Sequence, residues 1–304
     1  MKKNIKFLLL VGISGSGKST FAKRIFKKRP NNTLIVNRDS IRNMLFGYTE
    51  ETAYLHYNLP KEEFYRREKQ VSNISNMMIR DAILGKNEID TIVLDNTHLK
   101  MKYIREYEYY NIPIEIKIFD IDLDTAINRD KNRARKVGED VIKRQYEQFK
   151  TLLKKLENYQ YTPKQIPKYD NSKRDAIVID LDGTLAHATD RDIFDYSKVE
   201  TDKLDDVVAE LVVNSGFELI ICSGRESKAL DSTKKWLKSN MIFYRKMYMR
   251  ETGDYRKDWK VKEEFWDEIS KEYNIVGMID DRSQVVDRAR YLGYKVLQVD
   301  YGNF

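Results

Sequence analysis

The feature that most narrows what this chain can fold into is the passage from an apolar run, Phe7-Leu8-Leu9-Leu10-Val11, straight into Gly12-Ile13-Ser14-Gly15-Ser16-Gly17-Lys18-Ser19. Consecutive apolar residues bounded by glycine read as a strand buried on both faces, as in parallel sheets. The glycine-rich segment fits G-x-x-x-x-G-K-[ST], and residues 20–28 after it suit a helix. Strand, turn and helix in that order let backbone N–H groups converge on phosphate oxygens at a helix N-terminus. Gly12, Gly15, Gly17, Lys18, Ser19 and Thr20 are therefore candidate nucleotide contacts, with Lys18 as a point charge on the outer phosphates and Ser19 as a ligand for magnesium. Met1-Lys2-Lys3 before the run superficially copies a leader, but the run is short and passes into polar sequence, so a strand is expected.

Apolar runs bounded by turn residues recur at 34–36, 91–94 and 114–119, separated by charged, helix-compatible stretches. That alternation predicts an α/β fold with a parallel sheet. The pattern restarts at 176–179, 218–222, 276–279 and 295–299, so two tandem α/β domains are expected. Between them, residues 159–174 hold Pro163 and Pro167 and show no periodicity; the boundary is placed at 165, giving domains 1–165 and 166–304. A length of 304 residues accommodates two cores, and 41% hydrophobic with 34% charged residues describes a globular chain rather than a disordered one. The net charge of +7 suits a polyanionic partner, but with 55 basic against 48 acidic residues the bias is modest. Cys222 is the only cysteine, which agrees with a reducing compartment, the cytoplasm by default. No stretch approaches 18 apolar residues, so no membrane span is expected.

Ligands of open α/β sheets sit beyond the carboxyl ends of the strands. After 34–36 come Asn37-Arg38-Asp39 and Arg42. Asp39 is a candidate base for an attacking hydroxyl, and Arg42, three residues on, would share its helical face and could hold a neighbouring phosphate; equally, Asp39 or Ser40 could be a helix N-cap. Asp95, after 91–94, has the position of an acidic residue in a magnesium shell or of a turn aspartate. Arg129, Arg133 and Arg135 share a helix-like stretch, from which Arg133, supported by Arg129, is the candidate lid over the nucleotide phosphates.

In the second half, Ala176-Ile177-Val178-Ile179 runs into Asp180-Leu181-Asp182-Gly183-Thr184. The period of two sends both carboxylates to one side as the chain leaves the sheet. This segment resembles the haloacid dehalogenase superfamily of phosphotransferases, whose first aspartate attacks phosphorus and whose second is an acid and base. Ile221-Cys222-Ser223, Lys262 and Ile279-Asp280-Asp281 follow in that superfamily's order. The resemblance implies that Ser223 and Lys262 hold the phosphoryl oxygens, while Asp280 and Asp281 join Asp180, with Asp182, at magnesium.

Together the two halves resemble the polynucleotide kinase/3′-phosphatases of T-even bacteriophages over essentially the whole chain. The residues carrying the match are 12–19, Asn37-Arg38-Asp39 with Arg42, Asp95, Arg129 with Arg133, Asp180 with Asp182, Ser223-Gly224-Arg225-Glu226-Ser227, Gly253-Asp254, Arg256-Lys257-Asp258, Val261-Lys262-Glu263-Glu264 and Ile279-Asp280-Asp281-Arg282. The resemblance implies ATP as phosphate donor and Mg2+ as cofactor, Asp39 deprotonating a 5′-hydroxyl, Arg42 on the adjacent 3′-phosphate, and Lys18 and Arg133 on the ATP phosphates. In the second half it implies attack by Asp180 on a 3′-phosphate in a pocket completed by Arg225, Asp258 and Arg191. The sequence departs from the family in Thr189-Asp190-Arg191-Asp192-Ile193-Phe194-Asp195, a loose match to Gly-Arg-Gly-Pro-Tyr-Asp, and in a shorter segment after Arg225. RNA or DNA ends as partners, a homo-oligomer (a tetramer), a separate ligase, since no Lys-x-Asp-Gly signature is present, and the cytoplasm of an infected bacterium are also implied. A small-molecule kinase/phosphatase and a decayed module that only binds nucleic-acid ends are the other readings; Arg42 and the intact Lys18, Ser19, Asp180 and Asp182 argue against them.

Overall fold

The computed structural model describes residues 4–133, 136–192 and 195–302. Two compact units divide the chain, Met1–Pro163 and Lys164–Phe304, and residues 157–173 hold neither helix nor strand.

In the first unit the elements run β1 (Lys6–Val11), α1 (Lys18–Lys28), β2 (Thr33–Val36), α2 (Arg38–Phe46), α3 (Lys61–Leu84), β3 (Thr91–Leu94), α4 (Met101–Arg105), β4 (Ile114–Ile118), α5 (Leu123–Lys131) and α6 (Glu139–Leu156). All strand pairs are parallel, in the order β2-β3-β1-β4. The chain leaves β1 toward β2 on one side, while β4 lies on the other. The carboxyl end of β1 is thus the point where strand order reverses and a crevice opens. Leu8 and Leu10 face Ala22, Phe21 and Ile25 of α1, and Phe7 on the opposite face packs its ring against Tyr107 and Tyr110, 5.3 and 5.5 Å away. Burial on both faces is why the run is apolar without alternation.

In the second unit come β5 (Arg174–Ile179), β6 (Ala186–His187), β7 (Lys203–Leu204), α7 (Asp206–Val213), β8 (Glu218–Glu226), α8 (Leu230–Ser239), β9 (Lys246–Arg250), α9 (Asp258–Glu272), β10 (Tyr273–Arg282), α10 (Ser283–Leu292) and β11 (Val296–Gly302). The main sheet is parallel, in the order β11-β10-β5-β8-β9, and β6 and β7 form a small antiparallel pair. Ala176 and Val178 of β5 face a core with Trp266, Val285 and Ala289; Ile179 faces the other, with Val208, Val212 and Trp236. Asp180 therefore emerges at the end of the central strand, where the order again reverses. Strands β6, β7 and β9 are additions to the sequence reading. Lys246-Met247-Tyr248-Met249-Arg250 mixes charge with apolar residues because β9 is an edge strand.

Two candidate active sites

In the glycine-rich turn after β1, Gly15 and Gly17 take φ of +82° and +93°, a left-handed geometry that a side chain resists. The turn delivers Lys18 as the first residue of α1, buried, with Nζ donating to the Ile13 carbonyl at 2.7 Å. Burial lowers its ammonium to about 8, with Asp95 opposing the shift and Arg133 adding to it. Ser19 and Thr20 follow, exposed on the first turn of α1. Asp95 is buried after β3, where Asn37 Nδ2 donates to its carbonyl at 2.7 Å and its Oδ2 at 3.0 Å.

Arg129 lies on α5 and donates to the Gly15 carbonyl at 3.2 Å. Arg133 lies beyond the helix, which ends at Lys131, so the two arginines do not share one helical face as their spacing suggested. Its Nε is 2.6 Å from Asp130 Oδ1, close enough for charge pairing although the N–H is not aligned to donate. Arg135 lies outside the described residues. A further contact, unforeseen from sequence, comes from α6, where Gln145 Oε1 accepts the Ser14 N–H at 2.8 Å.

The residue capping α2 is Asn37, whose Oδ1 accepts the Ser40 N–H at 2.8 Å; neither Asp39 nor Ser40 is the cap. That leaves the Asp39 carboxylate, about half exposed, paired with Arg42 NH1. The Arg42 side chain is only 8% exposed. Glu68 of α3 holds it through Nε at 2.7 Å and NH2 at 3.2 Å, holds Arg38 at 2.8 Å, and meets His56 Nε2 at 2.9 Å. No local pattern marks Glu68, because its partners lie 12 to 30 residues away. Burial raises the Glu68 carboxyl, but its bonds to Arg42 and Arg38 outweigh this and leave it at about 2 against an ordinary 4.5. A depressed carboxyl stabilises the fold above its unfolded pKa and loses that contribution as pH falls toward the folded one. Wild type should therefore exceed Glu68→Gln by up to about 3 kcal/mol near pH 6, the gap closing between about pH 4.5 and 2. Denaturant titrations across that range test this, and a gap independent of pH would refute the assignment.

In the second unit, the Asp180, Asp280 and Asp281 carboxylates each offer an oxygen within 4.8 Å of the others. Lys262, on α9, donates to Asp280 at 2.8 Å and lies 2.9 Å from Asp180 Oδ2 and 3.4 Å from Asp258. Asp180 Oδ1 is buried and accepts no hydrogen bond among the described residues. Burial pushes the Asp180 carboxyl well above its usual range, Lys262 opposing and Asp280 and Asp258 reinforcing. Burial would lower Lys262, but Asp180, Asp258 and Asp280 outweigh it and raise the ammonium well above normal. Excess carboxylate around an unsatisfied oxygen is a donor set that fits a hard divalent cation.

Asp182 does not join the three carboxylates. Arg225 forks onto it, Nε to Oδ2 and NH2 to Oδ1, both at 2.8 Å, and Arg191 NH2 reaches Oδ1 at 3.1 Å. Both arginine side chains are buried against Asp202, which accepts from Arg225 at 2.6 Å and from Arg191 at 2.7 Å. Asp202, also unforeseen, offers its own carbonyl to the Trp236 indole at 2.7 Å. Ile193 and Phe194, beside Arg191 in sequence, lie outside the described residues. Ser223 lies inside β8, which runs on to Glu226, not after a strand as expected; its hydroxyl accepts the Arg225 N–H at 3.1 Å. Asp258 is held by Arg250 at 2.8 Å and Arg282 at 3.3 Å, anchoring α9 behind Lys262. Gly183 has a φ of +81°, and a Cβ there would stand 2.6 Å from Asp281 Oδ2.

A parallel sheet with a phosphate-cradling turn, joined to a second sheet whose central strand ends in a carboxylate cluster, defines a P-loop kinase-like domain followed by a haloacid dehalogenase-type phosphatase domain. Residues 174–304 match the family model for the polynucleotide kinase PNKP phosphatase domain, and residues 7–156 match an AAA domain model. The second half of the chain is thus similar to the phosphatase domain of polynucleotide kinases, and the first half to a P-loop domain. It is 30% identical over 298 residues to a putative bifunctional polynucleotide kinase/RNA ligase of Autographa californica nuclear polyhedrosis virus, covering 92% of this chain and 40% of that protein's length. Similar solved chains include one from a Pnkp1/Rnl/Hen1 RNA repair complex, at 29% identity, 99% and 97% coverage and a TM-score of 0.46. Another is shikimate kinase from Acinetobacter baumannii, at 14% identity, 54% and 86% coverage and a TM-score of 0.35. The two domains imply use of a nucleotide and of a metal ion. No helix among the described residues is long and apolar enough to cross a membrane.

Proposed function

We propose that this chain transfers the γ-phosphate of ATP to 5′-hydroxyl ends of nucleic acids and removes phosphate from their 3′ ends through an aspartyl-phosphate. The observation that carries the reading is the buried Oδ1 of Asp180, which accepts no hydrogen bond among the described residues and lies beside Lys262 in a domain that matches the polynucleotide kinase phosphatase model. In the first reaction Asp39 takes the proton of the 5′-hydroxyl while Arg42, held by Glu68, binds the phosphate on the adjacent 3′ position. Lys18, with Arg129 and Arg133, stabilises the charge on the transferring group.

In the second reaction an Asp180 oxygen attacks phosphorus as the bond to the 3′-oxygen breaks, and Asp182 gives that oxygen a proton. Water then attacks the acyl phosphate, returning its proton to Asp182 and freeing Asp180. Lys262 and Ser223 bind phosphoryl oxygens, Arg225 and Arg191 orient Asp182, and Asp258 positions Lys262. Asp180, Asp280 and Asp281 would hold magnesium in one site and Ser19 and Asp95 in the other, where the cation would offset the negative charge of the phosphate. Sealing the repaired ends falls to a separate ligase, and assembly as a tetramer in the cytoplasm of an infected bacterium goes with the same reading.

An oligonucleotide bearing a 5′-hydroxyl and a 3′-phosphate, incubated with ATP and magnesium and read by end-group mass spectrometry, should lose the 3′-phosphate and gain a 5′-phosphate. Both changes should stop in excess chelator; either one persisting there overturns the metal assignment for that half. Turnover confined to free sugars or nucleosides overturns the substrate.

A further inference from the structure

Beside the proposed acceptor site, the 3-10 turn Ala53–Asn58 presents Tyr57 with its ring 5.7 Å from the Arg42 guanidinium and its hydroxyl 3.5 Å from Arg42 NH1. Behind it are His56, fully buried, at 5.5 Å between ring centroids and Phe64 of α3 at 6.4 Å. Phe64 in turn meets Tyr65 at 5.7 Å. This packing is aromatic, and Glu68 meets His56 Nε2 at 2.9 Å. Yet Tyr57 is 54% exposed and Tyr65 60% exposed, a poor arrangement for residues serving only the core. Exposed aromatic rings against an arginine that reaches a phosphate are the two elements of a single-strand platform, in which the charge holds the backbone and the ring stacks a base.

We infer that Tyr57 forms a stacking subsite for the base of the second nucleotide of a single-stranded acceptor, the one joined through the phosphate that Arg42 binds. This rests on the kinase reading above and deepens it. A nucleoside 3′-phosphate engages Arg42 alone, whereas a dinucleotide also offers the ring a base. The subsite thus selects polymeric ends over mononucleotides, and it is indifferent to which base is stacked because every base has a π-face.

The test compares three acceptors, a nucleoside 3′-phosphate, a dinucleotide, and the same dinucleotide with an abasic second residue, using wild type, Tyr57→Ala and Tyr57→Phe. The quantity read is the ratio of kcat/KM for the dinucleotide to that for the nucleoside 3′-phosphate within each protein. The ratio should fall about ten-fold in Tyr57→Ala, the scale of one base-aromatic stack. It should hold in Tyr57→Phe, which lacks the hydroxyl near Arg42 but keeps the ring. In wild type the abasic acceptor should behave as the nucleoside 3′-phosphate does. An equal loss on both acceptors in Tyr57→Ala, or a dinucleotide advantage that survives removal of the second base, overturns the subsite. Failure of wild type to phosphorylate any of the three instead overturns the kinase reading on which it rests.

Discussion

Asp180→Asn should abolish 3′-phosphate release, by roughly four orders of magnitude or more, while 5′-phosphorylation by the same protein stays close to wild type. The substitution is nearly isosteric but removes the charged oxygen that must form the bond to phosphorus. Its structural effect should be small or favourable. Asp180, Asp280 and Asp281 crowd one buried cluster, and the upward push on each carboxyl records the cost of keeping them charged there. A neutral amide relieves part of that repulsion, so without divalent cation the variant should melt no lower than wild type. Stability maintained while activity is lost is the usual signature of a functional residue held under strain. Scoring both end groups on one doubly blocked oligonucleotide, with a thermal melt of each protein, checks the whole statement. Loss of both activities in a folded variant would sink the two-site model.

Lys18→Ala should produce the converse, a fall of roughly two to three orders of magnitude or more in 5′-phosphorylation, with 3′-phosphate removal retained. The ammonium is buried, lowered to about 8, and tied across its own loop to the Ile13 carbonyl, so it is positioned in the turn before any nucleotide arrives. Lys18→Arg separates charge from fit. A planar guanidinium cannot enter the space of a compact ammonium, so the arginine variant should recover little activity. Full recovery would mean that charge alone suffices and that the tight loop geometry is incidental.

The parts of the sites that were legible from sequence are those in which chemistry and local backbone coincide. Gly12 to Ser19 and Asp180 to Thr184 each follow directly from an inner strand of a parallel sheet, so a contiguous motif carries both the turn and the candidate group. What escaped were the residues that hold those groups from a distance. Glu68 reaches Arg42 from another helix, Asp202 reaches Arg225 from a loop before β7, and Gln145 reaches Ser14 from α6. A contact made only when the chain closes on itself leaves no periodicity to read. At the N-cap of α2 the alternative of Asp39 or Ser40 fails, because the extended backbone of a cap falls at Asn37, which sequence reasoning did not consider. Likewise Asp182 shares a strand-end period with Asp180, but Arg225 and Arg191 draw its carboxylate away from the other three.

The close approach of Gly183 to Asp281 also bears on how this domain can be remodelled. With 2.6 Å between a hypothetical Cβ and a carboxylate oxygen, even a methyl group would have to displace Asp281. A library built to widen or redirect the phosphatase pocket is therefore closed at position 183 for geometric reasons that precede any question of chemistry. Diversity belongs at exposed side chains such as Tyr255, outside the carboxylate centre.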